Sequence, residues 1–252
     1  MIILKTKSEI EKIKIACDVV KEVLEKLEDY IKPGIKTKDI DNFAETIINK
    51  RSAIPSFKNY RGYPATTCVS VNEVIVHGIP SDYVIKEGDI VSVDVGAYKD
   101  GFHGDAARTY MVGEVSKKAK KLVEVTKESF FEGIKKAKVG NRLQDISHAI
   151  QQYVETNGFN VIRDFFGHGI GRSLHEDPTI PNYGKPNRGA RLRAGMVLAI
   201  EPMVVEGSYE IITLEDGWTA VTKDGSLAAH YENTVALTDN GAEILTLYER
   251  VL

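Results

Sequence analysis

Four carboxylates in this chain stand where apolar strands would bury them. Asp94 follows the run Ile90-Val91-Ser92-Val93, and Glu201 follows Met196-Val197-Leu198-Ala199-Ile200. An acid is rarely tolerated among such neighbours unless it is paired or bound to metal. Asp100-Gly101 is a two-residue hairpin signal. With those residues as the loop, Lys99 pairs with Phe102 and Asp94 with Ala107. Asp105 then shares the face of Asp94, one diagonal step away, at roughly 7–8 Å between backbones. Two carboxylates so placed repel unless one is protonated or a cation lies between them. Glu232, in the strand-like stretch 228–235, is the fourth acid. A strand-end acid hydrogen-bonded beside Arg108 would account for Asp94 alone. Four acids ending or interrupting apolar strands suggest a carboxylate-rich site for hard or borderline divalent ions.

The histidines divide into two groups. His168 sits in Phe166-Gly167-His168-Gly169-Ile170-Gly171, where flanking glycines bare the backbone and let the imidazole approach a ligand. That stretch lacks the lysine and hydroxyl residue of a phosphate loop, which argues against nucleotide binding. His175 follows seven residues later as a second candidate imidazole, and His77 stands just after a strand-like run. Spacing alone leaves a core-packing role open for each of these three. His103, His148 and His230 are read as structural, with His148 on a helix face.

Helices must hold these strands in place. Ile10, Ile13, Ala16, Val20, Val23, Leu24, Leu27 and Ile31 repeat with helical period, and Ser8 with Glu11 offers a capping box. Pro33-Gly34 breaks this helix, and a second spans about 39–50. The same grammar returns as helices near 117–138 and 143–156, with a break at Gly140. Lys32-Pro33-Gly34 with Asp39-Ile40 aligns with Lys138-Val139-Gly140 with Asp145-Ile146, an offset of 106. Gly88 to Asp94 aligns with Gly195 to Glu201 at 107. We therefore expect a duplicated α+β architecture: one domain over 1–252, with half-repeats of roughly 7–113 and 114–248, each giving a carboxylate near a pseudo-two-fold axis.

Composition excludes several classes. The net charge of -3 and pI of about 6.1 give no global attraction to phosphate backbones, so nucleic acid is not an expected partner. Lys117, Lys118, Lys120 and Lys121 read as a solvated helix face. Of two cysteines, Cys17 lies on a helix's apolar stripe, so a structural disulfide is not expected and a reducing compartment is. The start Met-Ile-Ile-Leu-Lys has no signal-like apolar region, and no run reaches the ~20 apolar residues of a membrane span. The expectation is a cytoplasmic protein with no membrane contact.

Together these residues resemble type I methionine aminopeptidases of the pita-bread fold family. The most specific stretch runs from Phe165 through Phe166-Gly167-His168-Gly169-Ile170-Gly171-Arg172-Ser173-Leu174-His175-Glu176-Asp177-Pro178 to Ile180-Pro181-Asn182-Tyr183. Further matches are Tyr60-Arg61-Gly62-Tyr63-Pro64, Ser70-Val71-Asn72-Glu73, Val76-His77-Gly78, Ile200-Glu201-Pro202-Met203 and Asp216-Gly217-Trp218-Thr219, in family order over nearly the whole chain. The resemblance implies a pita-bread fold with pseudo-two-fold related halves, its curved antiparallel sheet flanked by helix pairs. It implies removal of initiator methionine from nascent proteins, before a small second residue, by a hydroxide bridging two divalent ions (cobalt, iron, manganese or zinc).

By the same resemblance the metal ligands are Asp94, Asp105, His168, Glu201 and Glu232. Two-metal hydrolases, aminopeptidases among them, hold such ions ~3.5–4 Å apart. Glu201 would take the proton of the attacking water, His175 would stabilise the oxyanion or scissile amide, and His77 would orient the peptide and assist the leaving nitrogen. Tyr60, Tyr63, Cys68 and Trp218, with Leu174 nearby, would wall the methionine pocket. Phe57 and Leu174 stand where many relatives carry cysteine and phenylalanine, and His230 and Asn233 where many carry glutamine and histidine. The family suggests a monomer and leaves a transient ribosome contact open. The rival readings are a same-fold Xaa-Pro peptidase, a non-catalytic peptide-binding module of this fold, and a different metallohydrolase such as a phosphatase.

Overall fold

The structure is a computed structural model and describes residues 1–248. Its helices are α1 (Lys7–Tyr30), α2 (Thr37–Lys50), α3 (Lys117–Ile134) and α4 (Leu143–Thr156), with a 3-10 turn at Tyr60–Gly62. The first half contributes β1 (Ile54–Pro55), β2 (Thr67–Val71), β3 (Val74–Val76), β4 (Ile90–Lys99) and β5 (Phe102–Met111). The second contributes β6 (Asn160–Val161), β7 (Phe166–Gly169), β8 (Glu176–Pro181), β9 (Val197–Ile200) and β10 (Met203–Val205). It continues with β11 (Ile211–Thr213), β12 (Ala220–Thr222), β13 (Ala228–His230), β14 (Asn233–Thr238) and β15 (Gly241–Ile244). Strand pairing is antiparallel throughout the described residues, as α+β patterning requires.

The apolar stripe of α1 buries Ile10, Ile13, Ala16, Cys17, Val19, Val20, Val23, Leu24 and Leu27. Its capping box is Thr6 with Glu9, not Ser8 with Glu11: Glu9 N–H donates to Thr6 Oγ1 at 3.3 Å, and Glu9 Oε2 accepts the Thr6 N–H at 2.9 Å. Both tetrapeptides fit the pattern. The earlier one is selected because the Lys5 N–H is pinned to the Gly195 carbonyl at 2.7 Å, which fixes where the chain enters the helix. α2 begins two residues ahead of the expected Asp39, whose carboxylate accepts the Lys36 N–H at 2.8 Å. α3 stops at Ile134 rather than 138, and Asn141 Nδ2 takes the Lys136 carbonyl. The four lysines opening α3 are exposed.

The hairpin register is as expected: Lys99 faces Phe102, Asp94 faces Ala107, and Gly96 faces Asp105. α1 can lie against β5 because position 104 is glycine; a Cβ there would sit 2.7 Å from the Cys17 nitrogen and 2.9 Å from the Ala16 carbonyl carbon.

The repeat is visible in backbone hydrogen bonds. The N–H of Gly34 donates to Ile85 O (2.8 Å) and that of Gly140 to Leu192 O (3.0 Å). Thr37 donates to Tyr83 O and Leu143 to Ala190 O, at 3.0 and 2.9 Å. Lys36–Val84 and Arg142–Arg191 form matching isolated bridges. α2 and α4 are both 14 residues long, and each carries an aspartate that caps its own entry. Each half has its own core. One packs α1 and α2 residues against Val91, Val93 and Val95, the other α3 and α4 residues against Leu198, Ile200 and Val235. The seam is both apolar and polar. Two clusters of buried residues and the β3–β12 pairing span the halves. Thr234 Oγ1 donates to the Asp105 carbonyl (2.8 Å) and accepts the Asp105 N–H (3.1 Å), while the Glu232 N–H reaches Ala107 O (3.0 Å).

Candidate functional site

At that seam lies a cavity of about 160 Å³. Every side chain singled out above borders it: Asp94, Asp105, His168, Glu201, Glu232, His77, His175, Tyr60, Tyr63, Cys68 and Trp218, together with Phe57, Arg61, Val76 and Leu174.

The acids arrive in two ways. Asp94 and Asp105 project from one face of the β4–β5 hairpin. Glu201 and Glu232 come from matched interruptions. The expected strand 228–235 is broken into β13 and β14, with Tyr231 and Glu232 between them, because its partner is broken at Glu201-Pro202. Pro202 has no N–H to donate, and its carbonyl accepts the Tyr231 N–H at 3.1 Å. One register pairs Ile200 with Asn233 and Met203 with His230, so it carries through the break and sets Glu201 opposite Glu232.

Ligand atoms of Asp105, His168 and Glu232 all lie within 4.8 Å of one another. His168 Nε2 is 3.9 Å from Asp105 Oδ2 and 3.8 Å from Glu201 Oε1. Its Nδ1 is 2.9 Å from the Gly169 carbonyl. That bond puts the proton on Nδ1 and leaves the Nε2 lone pair facing the acids. Burial, opposed by hydrogen bonds from Asp105, Glu232 and the Val95 backbone, raises Asp94 to about 7. Burial and mutual repulsion push Asp105, Glu201 and Glu232 well above the usual carboxylate range. Burial also lowers His168 to about 4 and His175 to about 3, so both imidazoles are neutral near pH 7. Arg108 does not neutralise the acids directly. Its guanidinium donates to the Ala107, Glu232 and Thr246 carbonyls and to Asn233 Oδ1.

The donor set fits divalent cations. Asp94 Oδ1, Asp105 Oδ1 and Glu232 Oε1 are buried without a hydrogen-bond partner, an arrangement that costs free energy unless something positive is held there. Four carboxylates and one neutral imidazole suit borderline metals, and no thiolate competes.

His230, read from sequence as structural, proves to be at the site. Its Nε2 is buried, without a partner, and 3.7 Å from Glu201 Oε2. It lies opposite Met203, just past the same break that places Glu201, a position that only the strand pairing reveals. His103 is held by Ser56 Oγ at 2.8 Å, and His148 lies 3.2 Å from the Gly184 carbonyl, each away from the acids.

The cavity wall is aromatic. Tyr63 meets Trp218 edge-on at 5.2 Å, and Trp218 stands in a turn that Asp216 closes by accepting the N–H groups of Trp218 and Thr219. His77 adopts φ of 60°, the left-handed region, and packs edge-on to Phe165 at 5.3 Å. His175 Nδ1 is 2.9 Å from the Tyr60 hydroxyl, and its ring lies 4.2 Å from that of His168. Phe57 fits beside Gly96, where a Cβ would sit 2.7 Å from its ring.

Residues 11–239 match metallopeptidase family M24. A methionine aminopeptidase of Clostridium acetobutylicum is 59% identical over 250 residues, 99% of this chain and 100% of the relative. The crystal structure of a methionine aminopeptidase from Thermotoga maritima superposes with a TM-score of 0.97 at 55% identity, covering 98% of this chain and 100% of that one. The prolidase of Pyrococcus furiosus has the same fold at a TM-score of 0.79 but is 27% identical, and the match spans 98% of this chain and 66% of that one. The fold is thus the pita-bread fold that the family resemblance implied, and the chain belongs to metallopeptidase family M24, among its methionine aminopeptidases.

Proposed function

We propose that this chain releases the initiator methionine from nascent polypeptides with a small second residue, using two divalent ions held by Asp94, Asp105, His168, Glu201 and Glu232. The observation that carries the reading is the composition of one cavity: four acids, two buried and two partly buried, and a neutral imidazole at one part, an aromatic and apolar wall at the other. Bound divalent ions would lower the pKa of a water between them and polarise the scissile carbonyl.

The chain's own groups have distinct tasks. Glu201 accepts the proton lost by the attacking water. In this role neutral His175 carries its proton on Nε2, with Nδ1 accepting from the Tyr60 hydroxyl 2.9 Å away, and Nε2–H donates to the carbonyl oxygen as negative charge develops. His77 orients the peptide and assists the departing nitrogen. Tyr60, Tyr63, Cys68 and Trp218, closed off by Phe57 and Leu174, hold the methionine side chain and exclude water.

The high identity to methionine aminopeptidases, against 27% to a prolidase, favours methionine over Xaa-Pro substrates. The ions are drawn from cobalt, iron, manganese and zinc, which this donor set accommodates alike. Among the described residues no helix is long and apolar enough to cross a membrane. The reading also includes a monomer of one catalytic unit with half-repeats of about 7–113 and 114–248. It works in a reducing cytoplasm, where the buried Cys17 and Cys68 stay unpaired, and touches the ribosome transiently.

The test is to compare metal-free and metal-reconstituted protein on peptides beginning Met-Gly, Met-Lys and Ala-Pro. The expected result is metal-dependent release of methionine from the first alone. Release of alanine from Ala-Pro would reassign the chain to the Xaa-Pro peptidases.

A further inference from the structure

The loop between β7 and β8 ends in His175, and the N-terminal arm holds it from behind. Lys5 Nζ lies 2.5 Å from Glu176 Oε2, with both side chains almost shut from solvent (3% and 7% exposed). Glu176 Oε1 accepts the Ser173 N–H at 3.2 Å, so the carboxylate gripped by Lys5 closes the loop on itself. The pair packs against Gly171, where a Cβ would meet Lys5 Cε at 2.6 Å and Glu176 Oε1 at 2.7 Å. Lys5 is itself anchored, its N–H donating to the carbonyl of Gly195, in the turn that feeds β9 and Glu201. Arg172 of the same loop reaches Glu9 Oε1 at 3.1 Å, and the other oxygen of Glu9 accepts the Thr6 N–H. From the cavity side, His175 meets Tyr60, through its hydroxyl and its stacked ring at 5.2 Å, and the tilted ring of His168.

We propose that Lys5 and Glu176 are positioning residues, a buried charge pair that sets the His175 imidazole at its working place in the cavity. The proposal rests on the reading of His175 as a group that touches substrate. An ion pair closed to solvent is costly to form and holds one geometry once formed. Misplacing a reacting group by about 1 Å can lower a rate by about 10²-fold. The pair lies outside the cavity lining, so its effect reaches the substrate through the one peptide unit linking Glu176 to His175.

The experiment is a double-mutant cycle on metal-loaded enzyme with a Met-Gly peptide. Lys5→Met, Glu176→Gln and the paired Lys5→Met/Glu176→Met are each made in the native and the His175→Ala backgrounds. The paired change leaves no orphaned charge, and its Tm shows whether the fold is kept. In the native background kcat should fall about 10- to 100-fold with KM little changed. With alanine at 175 the same changes should cost almost nothing further, because the group they position is gone. Equal losses in both backgrounds, or native kcat in the folded paired variant, would overturn the proposal. Undiminished kcat in His175→Ala alone would overturn the assignment of His175, and the proposal with it.

Discussion

A carboxylic acid buried beside three others holds its proton far longer than one in an unfolded chain, and this fixes how metal-free protein responds to pH. The unfolded carboxyls ionise near pH 4, whereas Asp94 in the fold waits until about 7, and burial and mutual repulsion also push its neighbours well above the usual carboxylate range. The folded state therefore binds more protons above pH 4, and stability falls as pH rises. The buried histidines act oppositely: unfolded they take protons below about 6.5, folded only near 3 to 4, so their contribution is complete above 6.5. Between pH 6.5 and 8 the acids alone remain, and the Tm of metal-free protein should drop. Metal-loaded protein should show no such drop, and Glu232→Gln should flatten the metal-free curve while weakening metal binding in calorimetry. His175→Ala should lower kcat by about 10²–10⁴-fold with metal content unchanged. Equal loss of bound metal would make His175 a ligand. At this scale Asp94 and Glu201 were legible because apolar runs before an acid are conspicuous, and Asp105 because the Asp100-Gly101 hairpin puts it on the face of Asp94. His230 was not, since a histidine between alanine and tyrosine carries no such contrast until the strand break is known.

Elements were read best where a residue type forces a conformation. Asp100-Gly101 adopts left-handed φ values of 51° and 87°, which set the β4–β5 register and with it the shared face of the two aspartates. The break at Glu232 was not legible, because nothing in Tyr231-Glu232 itself interrupts a strand; the cause is Pro202 on the partner. The entry of α1 was misplaced for a related reason: Thr6 and Ser8 are equal caps locally, and Lys5's bond to Gly195 decides between them. Packing of α1 on β5 gives a sharp test. Gly104→Ala puts a methyl into the helix backbone at Cys17 and should destabilise by about 1–3 kcal/mol in urea unfolding. Asp39→Ala and Asp145→Ala each remove a bond to a helix-entry N–H, and should cost about 0.5–2 kcal/mol apiece, alike in both halves.

For the whole molecule, the offsets of 106 and 107 in the sequence reappear as equivalent hydrogen bonds in each half. The seam between halves was not readable, since Thr234 and Asp105 are 129 residues apart and neither type announces a cross-strand bond. The acids meet at this seam, so a bound ion joins what folding alone brings together. Metal at 100 times its Kd should stabilise the native state by about 2.7 kcal/mol and raise Tm by roughly 5–10 °C. The added hydrogen-exchange protection should concentrate at Asp105, Ala107, Glu232 and Thr234. A uniform rise in protection would mean that the ion does not act across the seam.

The exposed Gly113-Glu114 link between the halves gives their shared seam a further consequence. A polypeptide nicked there would become two pieces, one retaining Asp94 and Asp105, the other His168, Glu201 and Glu232. On the proposed ligand set neither piece carries all five donors, so metal would add a further tie to the β3–β12 pairing and the two shared apolar clusters that already join the pieces. Supplying or chelating metal should shift the urea concentration at which the fragments part on a sizing column.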